Sequence, residues 1–179
     1  AILGPTDDII CMPDHMQKLD FELEAAIVIG KKGRNIKAQD ADDYIAGYLI
    51  MNDMSARGLQ MEEMRLNLGP AKGKDFCTII GPYLVTKDEI LDPQNLKIWL
   101  DINNNRMQNG STSKMVYGVN FLVSYISQFM SLQPGDIIST GTPPGVGMGM
   151  KPQVFLKPGD VMKLGIEGLG EQTQKTVAA

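Results

Sequence analysis

The chain has 179 residues, enough for one compact domain with a sizeable core. Its 17 basic and 21 acidic side chains leave a net charge of −4, which argues against a nucleic-acid groove or an anionic membrane surface and favours small molecules or proteins as partners. Two cysteines, Cys11 and Cys77, are too few for a disulfide or metal framework; with no secretory leader or long apolar span, the expectation is a soluble cytoplasmic protein with both thiols reduced.

In chain order, Gly4-Pro5 and Asp7-Asp8 read as turns, and Ile9 to Met12 as a short strand before a Pro13-Asp14 turn. "LDFELEAAIVIGKKG" predicts one strand from about Leu19 to Ile29, ended by Gly30 to Gly33. A short helical turn is expected around Ala38 to Tyr44, then an apolar strand near Tyr48 to Met51 that delivers Asn52 and Asp53 at its end. "SARGLQMEEMRLNLGPAKGKDF" reads as a polar helical turn and then a mobile Gly/Pro/Lys loop suited to a lid. Two further strands follow in "GPYLVTKDEI" and "LKIWLDINNNRMQNG", the second entering a hairpin turn at Asn103 to Asn105. "NFLVSYISQFM" is the one clear amphipathic helix, with Phe121, Leu122, Tyr125, Ile126 and Phe129 at helical spacing. "LQPGDIISTGTPPGVGMG" and "LKPGDVMKLGIEGLGEQTQKTV" each read as a turn followed by a strand, and the shared Pro-Gly-Asp marks two similar turns. Strands outnumber helices, so the fold class is a β-rich α+β domain.

The first long strand poses the chemical question. Asp20, Glu22 and Glu24 alternate along it and should share one face, where carboxylates need a metal, basic side chains or water to offset them. Glu22 and Glu24 can converge on one cation, and Asp53 from a second strand end would complete an oxygen-rich site. Without a Cys or His cluster, Mg²⁺, Mn²⁺ or Ca²⁺ suits such a site better than zinc. Periodicity alone also permits an ordinary solvated strand face.

Five ordered stretches narrow the choice. "LDFELEAAIVIGKKG", "GYLIMNDMSARGLQ", "GKDFCTIIGPYLVT", "STSKM" and "LQPGDIISTGTPPGVG" resemble the fumarylacetoacetate hydrolase family over nearly the whole chain, and the longer phrasing is similar to its ureidoglycolate lyase and diketo-deoxy-sugar-acid hydrolase branch. The resemblance implies a mixed β-sandwich roll forming a single catalytic domain over residues 1–179, and a homodimer. It implies Glu22, Glu24 and Asp53 as metal ligands and Arg57 and Gln60 as substrate-facing residues. Lys74, preferred to Lys72, becomes the lysine near the metal, and Thr140, Gly141 and Thr142 form a turn approaching the substrate.

The implied activity is metal-dependent hydrolysis of a C–C bond in a 1,3-dicarbonyl, an acylpyruvate or diketo sugar acid, through a metal-stabilised enolate. Decarboxylation, isomerisation or lyase chemistry on 2-oxo acids shares that core. Three features depart from the family pattern: Gly58 where Asp is common, Lys114 in place of the Asp of "TSDM", and a water-activating His–Glu pair that would lie upstream of Ala1. His15, just before the metal strand, reads as a surface or turn residue. The rival reading is a non-catalytic metal-binding dimerisation module. "GTPPGVGMG" lacks the spacing of nucleotide-binding loops.

Overall fold

The computed structural model describes residues 2–11 and 18–179; the expected Pro13-Asp14 turn and His15 lie outside the described residues. Twelve strands are seen among them: β1 (Ile2–Leu3), β2 (Ile9–Cys11), β3 (Leu19–Asp20), β4 (Leu23–Ile29), β5 (Ile45–Asp53), β6 (Ser55–Ala56), β7 (Thr78–Thr86), β8 (Lys97–Ile102), β9 (Asn105–Ser111), β10 (Ile137–Ser139), β11 (Val161–Ile166) and β12 (Gly170–Ala178). The α-helices are α1 (Arg57–Arg65), α2 (Lys72–Asp75) and α3 (Val119–Phe129), and the expected helical turn at Ala38–Tyr44 is a 3-10 helix.

Strand order is β1-β7-β5-β4-β10 in one sheet and β2-β12-β11-β8-β9 in the other, with β3 and β6 paired separately. One core joins them: Leu23, Ile27, Ile50 and Ile79 of the first sheet cluster with Leu100, Met162 and Leu164 of the second. The apolar run Ala25 to Ile29 of β4 follows from its interior place between β5 and β10, with both faces buried. Its alternate side chains Ala26 and Val28 pack with Leu49 and Met51 on the sheet's other face.

Local chemistry sets the turns. Asn103 and Asn104 both take positive φ, 50° and 65°, the backbone a two-residue hairpin needs. The two Pro-Gly-Asp turns are alike in detail. Asp136 and Asp160 each accept the N–H three residues earlier through Oδ2, at 2.7 and 2.9 Å, and Gly135 and Gly159 supply positive φ.

Three expectations are corrected. The strand over Leu19 to Ile29 breaks at Phe21 and Glu22, because their N–H groups donate to the side chains of Asp20 (2.9 Å) and Asn52 (3.2 Å) instead of a ladder. The amphipathic helix exists, yet Phe121, Tyr125 and Phe129 face outward in a row begun by Tyr117, stacked as far as Tyr125 and edge-to-face at Phe129. The core face is formed by buried Val119, Val123 and Ser127 together with Leu122 and Ile126 of the expected set, which pack against the core half-buried, and Ser127 Oγ accepts the Ile36 N–H at 2.9 Å. Finally, the Gly/Pro/Lys stretch is not a free loop: it contains α2 and is tied to α1.

Cys11 and Cys77 are free thiols, and no described helix is long and apolar enough to cross a membrane. Burial pushes the Cys77 thiol up to about 12. At neutral pH iodoacetamide should therefore label Cys77 only on unfolding, as mass spectrometry of native and denatured protein would read.

Candidate metal centre

The acids meet because two strand ends meet. Antiparallel pairing sets Leu23 opposite Asn52 and Glu24 opposite Met51, and the Asp53 N–H donates to the Glu22 carbonyl at 2.8 Å. The Glu22, Glu24 and Asp53 carboxylates each offer an oxygen within 4.8 Å of the others. Spacing that only permitted convergence is thus realised as a cluster.

Glu24 is the deepest of the three, at 3% exposed. It accepts hydrogen bonds from Ser139 Oγ and, at 2.7 Å, from the Gly141 N–H. Burial foremost, with the charges of Asp53 and Glu22, raises its pKa; the two hydrogen bonds oppose the rise. Among the described residues no cation pairs with it. Its contribution to stability is therefore most favourable below the ordinary Glu pKa and is lost as pH rises through the raised value, unless a cation joins the cluster.

Two basic residues serve the other acids. Lys74 Nζ donates to Glu22 Oε2 at 2.6 Å and to Asp53 Oδ2 at 2.8 Å, whereas Lys72 is exposed and reaches none of the three. Arg57, buried at the start of α1, donates from Nε to Asp20 (2.9 Å), from Nη2 to Glu22 (2.6 Å) and from Nη1 to Gln60 Oε1 (3.0 Å). The planar guanidinium spreads its donors over three partners at once, which a point-charge ammonium could not do.

Asp20 does not join the cluster. Fully buried, it accepts from Arg57 Nε and from the N–H groups of Phe21, Gly147 and Met148, tying the glycine-rich turn after β10 to α1. Four carboxylates around two bases leave two negative charges, the charge a divalent cation supplies. The all-oxygen donor set suits a hard ion, so these residues fit the expected metal.

Thr140, Gly141 and Thr142 line the same region. Thr140 and Thr142 donate their hydroxyls to the carbonyls of Ala25 (2.6 Å) and Leu23 (2.8 Å), stapling the turn along β4 so that Gly141, at φ 95°, aims its N–H at Glu24. Gln108, fully buried, braces it from β9: its Nε2 donates to Thr142 Oγ1 and the Pro143 carbonyl, and its Oε1 accepts the Leu23 N–H. Beside the turn lies a cavity of about 760 Å³ walled chiefly by apolar side chains, among them Met115, Tyr117 and Leu122, with Lys114 as its charged lining residue. Ser139 sits inside a motif the sequence reading used, but its bond to Glu24 and that of Gln108 to the turn cross 115 and 34 residues and leave no local signature.

The comparisons agree with this architecture. The family model described as fumarylacetoacetate (FAA) hydrolase C-terminal matches residues 1–177. A Burkholderia cenocepacia protein with the provisional name of a hydrolase is 52% identical over 98% of this chain, which spans 62% of that relative's length. Fumarylacetoacetate hydrolase from psychrophilic Exiguobacterium antarcticum superposes with a TM-score of 0.94 at 39% identity, covering 99% of this chain and 63% of its own. Fumarylpyruvate hydrolase from Pseudomonas aeruginosa, solved with Mn²⁺ and pyruvate, gives 0.88 at 29% identity, covering 99% and 75%. A Mycobacterium marinum 2-hydroxyhepta-2,4-diene-1,7-dioate isomerase gives 0.87 at 36%, covering 99% and 66%. By sequence model, identity and fold together, the chain belongs to the fumarylacetoacetate hydrolase family.

Proposed function

We propose that the chain is the metal-binding catalytic domain of a hydrolase that cleaves the C–C bond of a 1,3-dicarbonyl acid, an acylpyruvate or diketo sugar acid. The observation that carries this reading is the three-carboxylate cluster with Lys74 on two of its members. The Pseudomonas neighbour, bound to Mn²⁺ and pyruvate, supports the ion class and the 2-oxo-acid end of the substrate.

Glu22, Glu24 and Asp53 would hold a Mg²⁺ or Mn²⁺ ion, which would supply Lewis-acid polarisation to the bound substrate. Arg57 keeps Glu22 turned toward the cluster. Lys74 adds a positive charge beside the position where negative charge develops, and Gly141 holds Glu24 in place through its N–H. Gln60 stands beside Arg57 at the rim, where its amide nitrogen can meet a substrate oxygen. The cavity next to Thr140 to Thr142 offers room for the substrate's acyl arm.

The test is pyruvate release from an acylpyruvate by the full-length gene product, in which the resemblance puts the water-activating His–Glu pair upstream of Ala1. Mn²⁺-dependent release with a coproduct acid supports the reading. CO₂ release or a shift of the double bond without cleavage would move it to the decarboxylase or isomerase alternative, the latter favoured by the Mycobacterium likeness. Ion binding with no turnover of any 2-oxo acid would favour the dimerisation module.

A homodimer in the cytoplasm belongs to the same proposal. The aromatic row Tyr117, Phe121, Tyr125 and Phe129 is 43% to 64% exposed, an apolar face suited to burial against a second copy. Sedimentation should give a dimer mass for the wild type and a monomer mass for Phe121→Asp with Phe129→Asp; a monomeric wild type would contradict this.

A further inference from the structure

Glu63 lies outside the metal cluster, yet its carboxylate makes three hydrogen bonds to one short segment. Oε2 accepts the N–H groups of Ala71 (2.9 Å) and Gly73 (3.1 Å), and Oε1 accepts that of Lys72 (2.8 Å). These are the amides that the four-residue α2 cannot satisfy itself, and a charged acceptor makes each bond stronger than a neutral one. The same bonds, the one from Ala71 foremost, push the Glu63 carboxyl below its ordinary value.

Packing reinforces the tie. Gly73 lies so close to α1 that an added Cβ would sit 2.8 Å from the Gln60 nitrogen and 2.9 Å from its Cα. α2 is therefore seated on α1 by an ionic clamp and by the absence of a side chain. Lys74 is the next residue, and its ammonium crosses to Glu22 and Asp53. α1 carries Arg57 at one end and Glu63 near the other, so a single helix sets both cations of the site.

We propose that Glu63 is a positioning residue for Lys74: by pinning the backbone of residues 71–73 to α1, it holds the Lys74 ammonium over Glu22 and Asp53. The inference rests on the reading that Lys74 acts at this centre. Glu63 touches none of the three clustered acids, so its effect passes through α2.

The experiment is acylation of lysines by an N-hydroxysuccinimide ester in the full-length gene product, read by peptide mass spectrometry, with kinetics alongside. In the wild type Lys74 should react more slowly than exposed Lys72. In Glu63→Ala the Lys74 rate should rise about tenfold, the change expected on losing one net charged hydrogen bond's worth of order. Lys87, paired with Asp42 elsewhere, should keep its rate. Gly73→Ala should release Lys74 likewise without removing a charge, and Glu63→Gln, which keeps one acceptor oxygen, should fall between. In turnover, Glu63→Ala should lower kcat more than it raises KM.

Folded Glu63→Ala and Gly73→Ala proteins whose Lys74 stays as protected as in the wild type would overturn the proposal. Where Glu63→Ala does not fold, Glu63→Gln and Gly73→Ala decide in the same way. A wild type without turnover would count against the proposed function, while the labelling would still judge the clamp.

Discussion

Replacing Arg57 with Met should destabilise the protein by about 3–5 kcal/mol, the cost of leaving a buried charge without its partner. Asp20 is fully buried and Arg57 supplies its only cationic contact among the described residues; Glu22 would lose its 2.6 Å bond at the same time. For a domain of this size the loss corresponds to a fall in Tm on the order of 10 °C. Arg57→Lys should recover little, since one ammonium cannot reach Asp20, Glu22 and Gln60 together. Thermal unfolding of the three proteins at one pH reads the effect. A Tm within a degree or so of wild type for Arg57→Met would mean that water, not Arg57, balances Asp20.

Replacing Lys74 with Met should act on chemistry more than on stability. Its Nζ is the one lysine group bonded to Glu22 and Asp53, and its side chain is 17% exposed. Removing a positive charge aimed at developing negative charge costs roughly 10²–10³ in kcat where such groups have been tested. Lys74→Met should show that loss at saturating substrate and Mn²⁺, with KM changed much less. Lys72→Met, one residue beyond Ala71 and exposed, should remain near wild type. Equal losses in both variants would show that the segment matters as a whole and that Lys74 holds no particular place in the reaction.

The outline of the site was legible because its signals are local. Glu22 and Glu24 share a face by strand period, and Asp53 ends an apolar run, so both features survive in a bare sequence. Their convergence needed the pairing of β4 with β5, which the family likeness supplied. Asp20 belongs to the same alternation but serves differently: a break at Phe21 gives it to β3 and to the turn at Gly147, contacts 127 residues away. The motif around Arg57 carries no sign that its guanidinium holds Asp20, Glu22 and Gln60, because Asp20 and Glu22 lie far from it along the chain. For α3 the pattern places the helix, with Leu122 and Ile126 against the core, but not the outward aromatic row. Apolar residues lie on two sides of that helix, and burial follows the side of Val119, Leu122, Val123 and Ile126, with the small Ser127, rather than the aromatic row. Glu63, Gln108 and Ser139 act through backbone groups or distant side chains, which no spacing rule marks.

The central claim is that Glu22, Glu24 and Asp53 form one divalent-ion site. Isothermal titration of the metal-stripped chain with Mn²⁺ and Mg²⁺, beside Glu24→Ala and with oxalate as a chelating 2-oxo-acid mimic, tests it most directly. The account predicts one ion per wild-type chain, binding at least about 100-fold weaker in Glu24→Ala, and oxalate binding only when the ion is present. Wild type and Glu24→Ala that both fail to bind either ion would contradict it, and the three acids would then be a carboxylate cluster balanced by Lys74 and Arg57 alone.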